Sequence, residues 1–373
     1  MGITVILHKN NFSARLMTEL EERGPKKAKI AESTSVEGTQ FVKGHTNTVT
    51  ACCFSHDDKN VASASKDGTV ILWDVETHGK ILRFKPQQRC GSVRAVTFCG
   101  SEYGGNVLVS CGEDRLVRLW DIRTPAEPVR ELKGHQGEVN GVKFAFDEST
   151  NAGKLFTIGA DKAVKVWYTD GTDAKLFDSF FGHTASVLCM DMLAINRPVT
   201  GGDDHSVRAW NVARDSHTIF SSGGHTAPVD SVFAIDSNHY LSGGQDGAIC
   251  LWGSTSRKAL HKEEEAHDGQ WVTSVSGIRN SDLALSGSND GLIRMWRVGR
   301  PSEDDGTSKK TKMVIDQLDT SIPIKGVVND IQVSNSGSLL VAAVGRDHKH
   351  GRWITADQAH NGLLFAKLAS STQ

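Results

Sequence analysis

Residues 44–74 read GHTNTVTACCFSHDDKNVASASKDGTVILWD, followed at 80–84 by KILRF. Within this stretch VTACCF, VASAS and TVILWD are short alternating segments separated by polar turns, the pattern of a small antiparallel sheet. A Gly44-His45 pair heads the unit, Asp67 sits in the turn before the third strand, and Trp73 closes it. The same frame recurs along the chain. Tryptophans stand at Trp73, Trp120, Trp167, Trp210, Trp252, Trp296 and Trp353, and each has an Asp six positions earlier: Asp67, Asp114, Asp161, Asp204, Asp246, Asp290 and Asp347. Upstream lie Gly44-His45, Gly134-His135, Gly182-His183, Gly224-His225 and, in a fifth repeat, Ala266-His267.

A period in the forties with four short strands per unit predicts propeller blades, and seven units predict a seven-bladed, all-β propeller. Each sheet has two apolar faces, so a blade must be sandwiched between neighbours and cannot fold alone. The turn Asp can accept hydrogen bonds from turn amides and from the His of its own repeat, which assigns these residues to fastening the blade. Two strands compete for the outer place in the last blade, Gln40 to Lys43 and Gly362 to Leu368. The domain reading is a helix and polar linker at 1–38, the propeller at 39–369, and a tail at 370–373. Phe12, Leu16, Met17 and Leu20 have helical spacing within 11–23, ahead of Gly24-Pro25. That amphipathic face has two candidate docking places, the propeller itself or a partner.

Composition fits a strand-and-turn protein. The chain has 373 residues, 37 Gly and only 8 Pro, and 42 Lys plus Arg against 44 Asp plus Glu. The resulting charge of -2 excludes a globally basic nucleic-acid coat, so any RNA contact must be a local patch. No run approaches the length of a membrane span and no secretory leader is visible, so neither membrane contact nor export is expected. The seven cysteines, Cys52, Cys53, Cys90, Cys99, Cys111, Cys189 and Cys250, lack a C-x-x-C pair and sit mostly in apolar stretches, the mark of buried thiols in a reducing compartment. Lys26, Lys27 and Lys29, and again Lys309, Lys310 and Lys312, are short basic runs that read either as solvated loop or as nuclear-import signals.

Neither a nucleophile elbow nor a phosphate-binding loop nor zinc-ligand spacing occurs, so no catalysis, cofactor, metal or small-molecule substrate is expected. Function then rests on departures from the repeat. Six third strands read TVIL, LVRL, AVKV, SVRA, AICL and LIRM before their Trp; the seventh reads His348-Lys349-His350-Gly351-Arg352 before Trp353, with Arg346 close by. Such a cluster suits phosphate contact, with Arg also able to stack on or fork to a base. The turns before the third strands add Lys66, Arg115, Lys162 and His205 to one face, a mildly basic rim.

The Gly-His to Trp-Asp frame, complete at Trp73-Asp74 and Trp120-Asp121, resembles the WD40 family. From Gly182 onward, FGHTASVLCMDMLAINRPVTGGDDHSVRAW, EEAHDGQWVTSV and VAAVGRDHKHGRW resemble, in order, the WD40 proteins of the U3 small nucleolar ribonucleoprotein. That resemblance implies a protein of the nucleus and nucleolus that binds the box B/C element of U3 small nucleolar RNA beside the kink-turn-binding protein. It further implies small-subunit processome partners and support of pre-rRNA processing toward the small ribosomal subunit. Gly91-Ser92 departs from Gly-His, and Lys349 stands where the family has Arg, keeping charge but losing the fork. Two alternatives remain beside it. One is a general WD40 protein scaffold; the other is a substrate receptor of a cullin ubiquitin ligase, prompted by the box Trp120-Asp121-Ile122-Arg123.

Overall fold

The computed structural model describes residues 29–85, 91–100, 103, 105–147, 152–171, 173–300, 313–356 and 358–370. The helix read at 11–23, Lys26 and Lys27, the basic run at 309–312 and the end of the tail lie outside them. Seven four-stranded antiparallel sheets form a ring. In blade one, Val49–Phe54, Asn60–Ser65, Val70–Asp74 and Lys80–Phe84 follow one another from the channel outward. Five further blades repeat this order.

Why the blades need one another is visible in the core. One apolar cluster joins Leu72 and Phe84 of blade one to Val96, Leu108 and Trp120 of blade two, and another joins Ile71 and Trp73 of blade one to Val341 and Leu363 of blade seven. Each sheet buries its two faces against two different neighbours, so the apolar driving force exists only in the assembled ring.

Five blades carry the same buried polar chain. In blade five, Trp252 Nε1 donates to Ser242 Oγ at 2.7 Å, Ser242 reaches His225 Nε2 at 2.7 Å, and His225 Nδ1 reaches Asp246 at 2.8 Å. The equivalent sets are His45, Ser63, Asp67 and Trp73; His135, Thr157, Asp161 and Trp167; His183, Thr200, Asp204 and Trp210; His267, Ser286, Asp290 and Trp296. With the Ser or Thr hydroxyl donating to Nε2, the proton on Nδ1 faces the Asp carboxylate. In blade five the Trp ring leaves the residue before the His no room for a side chain: a Cβ on Gly224 would lie 2.2 Å from Trp252, whereas blade six carries Ala266 at that place. Blade two has Ser92 in place of His, and there Asp114 instead pairs with Arg118 at 2.6 Å.

Blade seven corrects one reading and decides one that the residues left open. Its third strand is not the segment before Trp353 but Gly362–Ser370, and its outer strand is Thr34–Lys43, so both candidate closing strands enter one sheet. Thr34 pairs with Ser370 and Lys43 with Gly362. The outer strand thus extends into the linker stretch, and the 3-10 turn Ala31–Ser33 before it is pinned on blade six by hydrogen bonds from the Ile30 and Ala31 amides to Asp282. The physical reason for the misreading is burial. GLLFAKLAS has alternating apolar side chains, with Leu363 and Phe365 facing blade one and Leu364, Ala366 and Leu368 facing blade six. Trp353, by contrast, is 69% exposed, and its six-residue spacing from Asp347 has no structural counterpart.

All seven innermost strands share one irregularity. The register slips by one residue at Thr50, Arg94, Asn140, Leu188, Asp230, Thr273 and Asn329, a bulge near the start of each inner strand. Bulges re-aim a side chain, and here four of the seven stitch the ring. Thr50 donates to the Val93 carbonyl at 2.7 Å, Asn140 to Val187 at 2.8 Å, Asn329 to Val49 at 3.0 Å, and Thr273 to Val328. In every case the acceptor is the residue just before the next blade's bulge.

Candidate nucleic-acid interface

The segment freed from strand duty, Arg346 to Asn361, leaves blade seven between Leu339–Gly345 and Gly362–Ser370. It is closed at its base by the Arg346 amide on Asn361 Oδ1 at 3.0 Å and by an antiparallel bridge between Asp347 and Thr355. Its tip turns inward over the channel.

There the segment meets four of the bulge residues: Arg94 and Asp230, which do not stitch the ring, and Asn329 and Thr273, which do. Arg94 donates to the Lys349 carbonyl while its other end is held by Glu113 at 2.9 Å and Glu138 at 3.1 Å. Asn329 accepts from the Lys349 amide at 2.7 Å and donates to the Asp347 carbonyl at 3.0 Å. Lys349 Nζ donates to the carbonyls of Asp230 at 2.9 Å and Thr273 at 3.2 Å. From blade one, Lys66 Nζ donates to the carbonyls of His348 at 2.6 Å and Gly351 at 3.1 Å. Burial, helped by the nearby charges of Arg94 and Arg352 and opposed by Asp347, lowers the Lys66 ammonium below its ordinary value.

The two imidazoles are structural rather than solvent-facing. His348 is fully buried, edge-on to Trp271 with ring centroids 5.7 Å apart and tilted against Trp353 at 6.4 Å. His350 lies beside it at 5.6 Å, and burial, then the charges of Lys349 and His348, push its imidazole well below the ordinary value. Beneath them is a cavity of about 350 Å3 lined by Cys53, Lys143, Cys189, Asp191, Arg279 and Asp330, among others. Burial pushes the Cys53 and Cys189 thiols up to about 12, so neither is a thiolate nucleophile at neutral pH. Among the described residues no group of three His, Cys, Asp or Glu side chains is placed to hold a metal ion, and no helix is long and apolar enough to cross a membrane.

The sequence-predicted residues therefore divide. His348, Lys349 and His350 are turned into the channel mouth, and Lys66 holds their backbone. Arg346, Arg352 and Trp353 face solvent, with the Arg352 side chain 81% exposed and its Nε 3.6 Å from Asp347. Arg115, Lys162 and His205 are exposed at one equivalent turn position, the residue after the Asp, where the backbone is left-handed at φ 68°, 65° and 61°. Lys66 occupies the position before the Asp, one step closer to the channel, which is why it meets the blade-seven segment and the other three do not. Sequence reasoning passed over Arg94, Asp230, Asn329 and Trp271. A bulge leaves no mark in the residue pattern, although the break from Gly-His at Gly91-Ser92 flagged the blade that contributes Arg94. In the Trp-Asp-Ile-Arg box, Arg123 folds back onto its own Asp121 at 2.6 Å.

This arrangement can present two guanidiniums and an indole on a braced support at one face of the ring, which suits phosphate contact and stacking. The WD40 family, described as WD domain, G-beta repeat, matches residues 37–74, 84–121, 126–168, 174–211, 216–253 and 259–297. The chain is similar to the U3 snoRNP-associated protein-like EMB2271 of Arabidopsis thaliana, with 28% identity over 372 residues covering 92% of this chain and 74% of that protein. It is similar to U3 small nucleolar RNA-interacting protein 2 of Homo sapiens, with 29% identity over 200 residues covering 51% of this chain and 30% of the human protein. The solved structure of U3-55K superposes with a TM-score of 0.78 at 27% identity, covering 88% of this chain and 98% of that one.

Proposed function

The chain belongs to the WD40 repeat family, and from that premise we propose that it is a non-catalytic component of the U3 small nucleolar ribonucleoprotein. In this reading it binds the box B/C region of U3 small nucleolar RNA together with the kink-turn-binding protein, works with other small-subunit processome proteins in the nucleolus, and supports pre-rRNA processing toward the small ribosomal subunit. The observation that carries the reading is the extent of the likeness: similarity to a U3 snoRNP-associated protein runs over 92% of the chain, well beyond the six matched repeats. Exposed Arg346, Arg352 and Trp353, with Arg115, Lys162 and His205 on neighbouring turns, support an RNA contact on the face where the blade-seven segment emerges. A chain with a net charge of -2 needs such a local patch, since phosphate contacts supply affinity and loops supply register.

A gel-shift titration against box B/C RNA, with and without the kink-turn-binding protein and at two salt concentrations, tests this. Binding to that RNA alone, strengthened by the second protein, is expected. Equal binding to an unrelated RNA, or none, would leave a protein scaffold as the better account.

A further inference from the structure

The bulge ring has seven positions, of which four stitch blade to blade. Of the remaining three, Leu188 is apolar, whereas Arg94 holds the backbone of the blade-seven segment and Asp230 meets its side chains. The segment is thus held from four other blades: Lys66 of blade one, Arg94 of blade two, Asp230 of blade five and Thr273 of blade six. At its centre is Lys349, whose amide, carbonyl and ammonium are all engaged. An ammonium bonded to two carbonyls at the channel mouth is not also at the surface where a phosphate would lie. Three and four residues later, Arg352 and Trp353 are in solvent.

We infer that Lys349 is a positioning residue: its ammonium, seated on the Asp230 and Thr273 carbonyls, latches the segment into the channel mouth and so fixes Arg352 and Trp353 in place for RNA. This rests on the RNA reading above. A latched segment has already lost the conformational freedom that a loose loop must give up on binding, and preorganisation of that kind raises affinity without adding a contact. The latch also accounts for a lysine whose ammonium is spent on two backbone carbonyls.

The two roles separate by salt. A residue that neutralises a phosphate contributes about one unit to the slope of log affinity against log salt, whereas a residue that only positions others contributes none. The experiment uses the full chain, a U3 small nucleolar RNA transcript, and the variants Lys349→Met, Lys349→Arg and Arg352→Ala, each checked for folding by its thermal melt. Arg352→Ala is expected to weaken binding and lower the slope by about one. Lys349→Met is expected to weaken binding about tenfold at every salt concentration with the slope unchanged, and Lys349→Arg, which keeps the charge and its donors, to recover most of the loss. Without RNA, trypsin should cut after Arg352 several-fold faster in Lys349→Met than in the parent.

A slope lowered by about one in Lys349→Met would mean direct phosphate contact and overturn the latch. So would parent-like affinity in Lys349→Met while Arg352→Ala binds weakly, or an unchanged trypsin rate. Failure of the parent chain to bind the transcript would instead sink the RNA reading, and the positioning role with it. Should Lys349→Met not fold, Lys66→Met removes a second anchor at the rim and must move the same two readouts.

Discussion

Asp230 of blade five and His348 of the blade-seven segment bring a carboxylate oxygen and Nε2 to 3.3 Å, with both side chains fully buried. Neither residue belongs to the repeated frame. Their meeting ties an irregular segment to the regular ring at a point from which water is largely excluded, where an unpaired polar group is costly.

Replacing Asp230 by Ala should therefore destabilise the protein by about 1 to 3 kcal/mol, since it takes the acceptor from the Gln245 amide, which donates to Asp230 at 3.1 Å, and the carboxylate from beside the buried imidazole. Chemical unfolding at neutral pH measures it. A loss within experimental scatter would mean that His348 does not depend on this carboxylate.

Arg346→Ala combined with Arg352→Ala should leave the fold within about 0.5 kcal/mol of the parent, because both side chains are exposed, and should lower the salt slope of U3 RNA binding by about two. Fluorescence-anisotropy titrations across several salt concentrations give the slope. An unchanged slope in a folded double variant would remove these two arginines from the interface.

Asp246→Ala breaks the polar chain of blade five, taking the partner from His225 and from the Thr226 amide, and should cost about 1 to 3 kcal/mol. RNA affinity per folded molecule should stay as it was. A selective loss of binding at full stability would place that turn in the interface.

Acid should act in two stages. Burial depresses the imidazoles of His183 and His350, so the fold favours their neutral forms; that stability is complete above an ordinary value near 6.5 and is lost as pH falls below it. Asp246 follows. Burial opposes its ionisation, but hydrogen bonds from His225, Thr226 and Ala248 hold it at about 2, and Asp67 and Asp204 lie lower still. Their contribution is present above about 3.8 and disappears as pH falls through the folded values. Asp330, raised by burial in the channel, has the opposite sign: it adds stability as pH falls through its raised value toward 3.8 and so offsets part of the first stage. Melting temperature against pH should thus stay level above about 6.5, fall, and fall again below about 3.8. A single drop confined to the lower range would contradict the histidine assignment.

Six blades were legible because the polar chain from Trp to Asp ties four residue types to fixed spacings, and those spacings survive in the residue string. Blade two remained legible without its His, since Trp120 and Ser110 keep their bond at 2.9 Å. Blade seven was not. Its third strand has no Trp to mark it, and an Asp and a Trp six apart in the neighbouring segment imitated the mark. Within the candidate site, Arg346 and Arg352 could be read as surface charges because each follows a glycine and no apolar alternation around it calls for burial. Lys349 and His348 looked the same on paper. Their burial depends on a hole in the ring and on polar groups brought to its edge by seven blades, a property of closure that no local stretch contains.

Closure also sets an order in time. Thr34–Lys43 leaves the ribosome before every other strand described, yet its partner is Gly362–Ser370, which emerges after all the rest. Throughout synthesis an early strand is without its neighbour and blade one shows the nascent chain an uncovered flank, with unpaired edges of the kind that invite association. The hour of greatest danger for this protein is therefore the interval before its last strand is made, and any factor that shields blade one during that interval would matter more to its yield than one that acts on the finished ring.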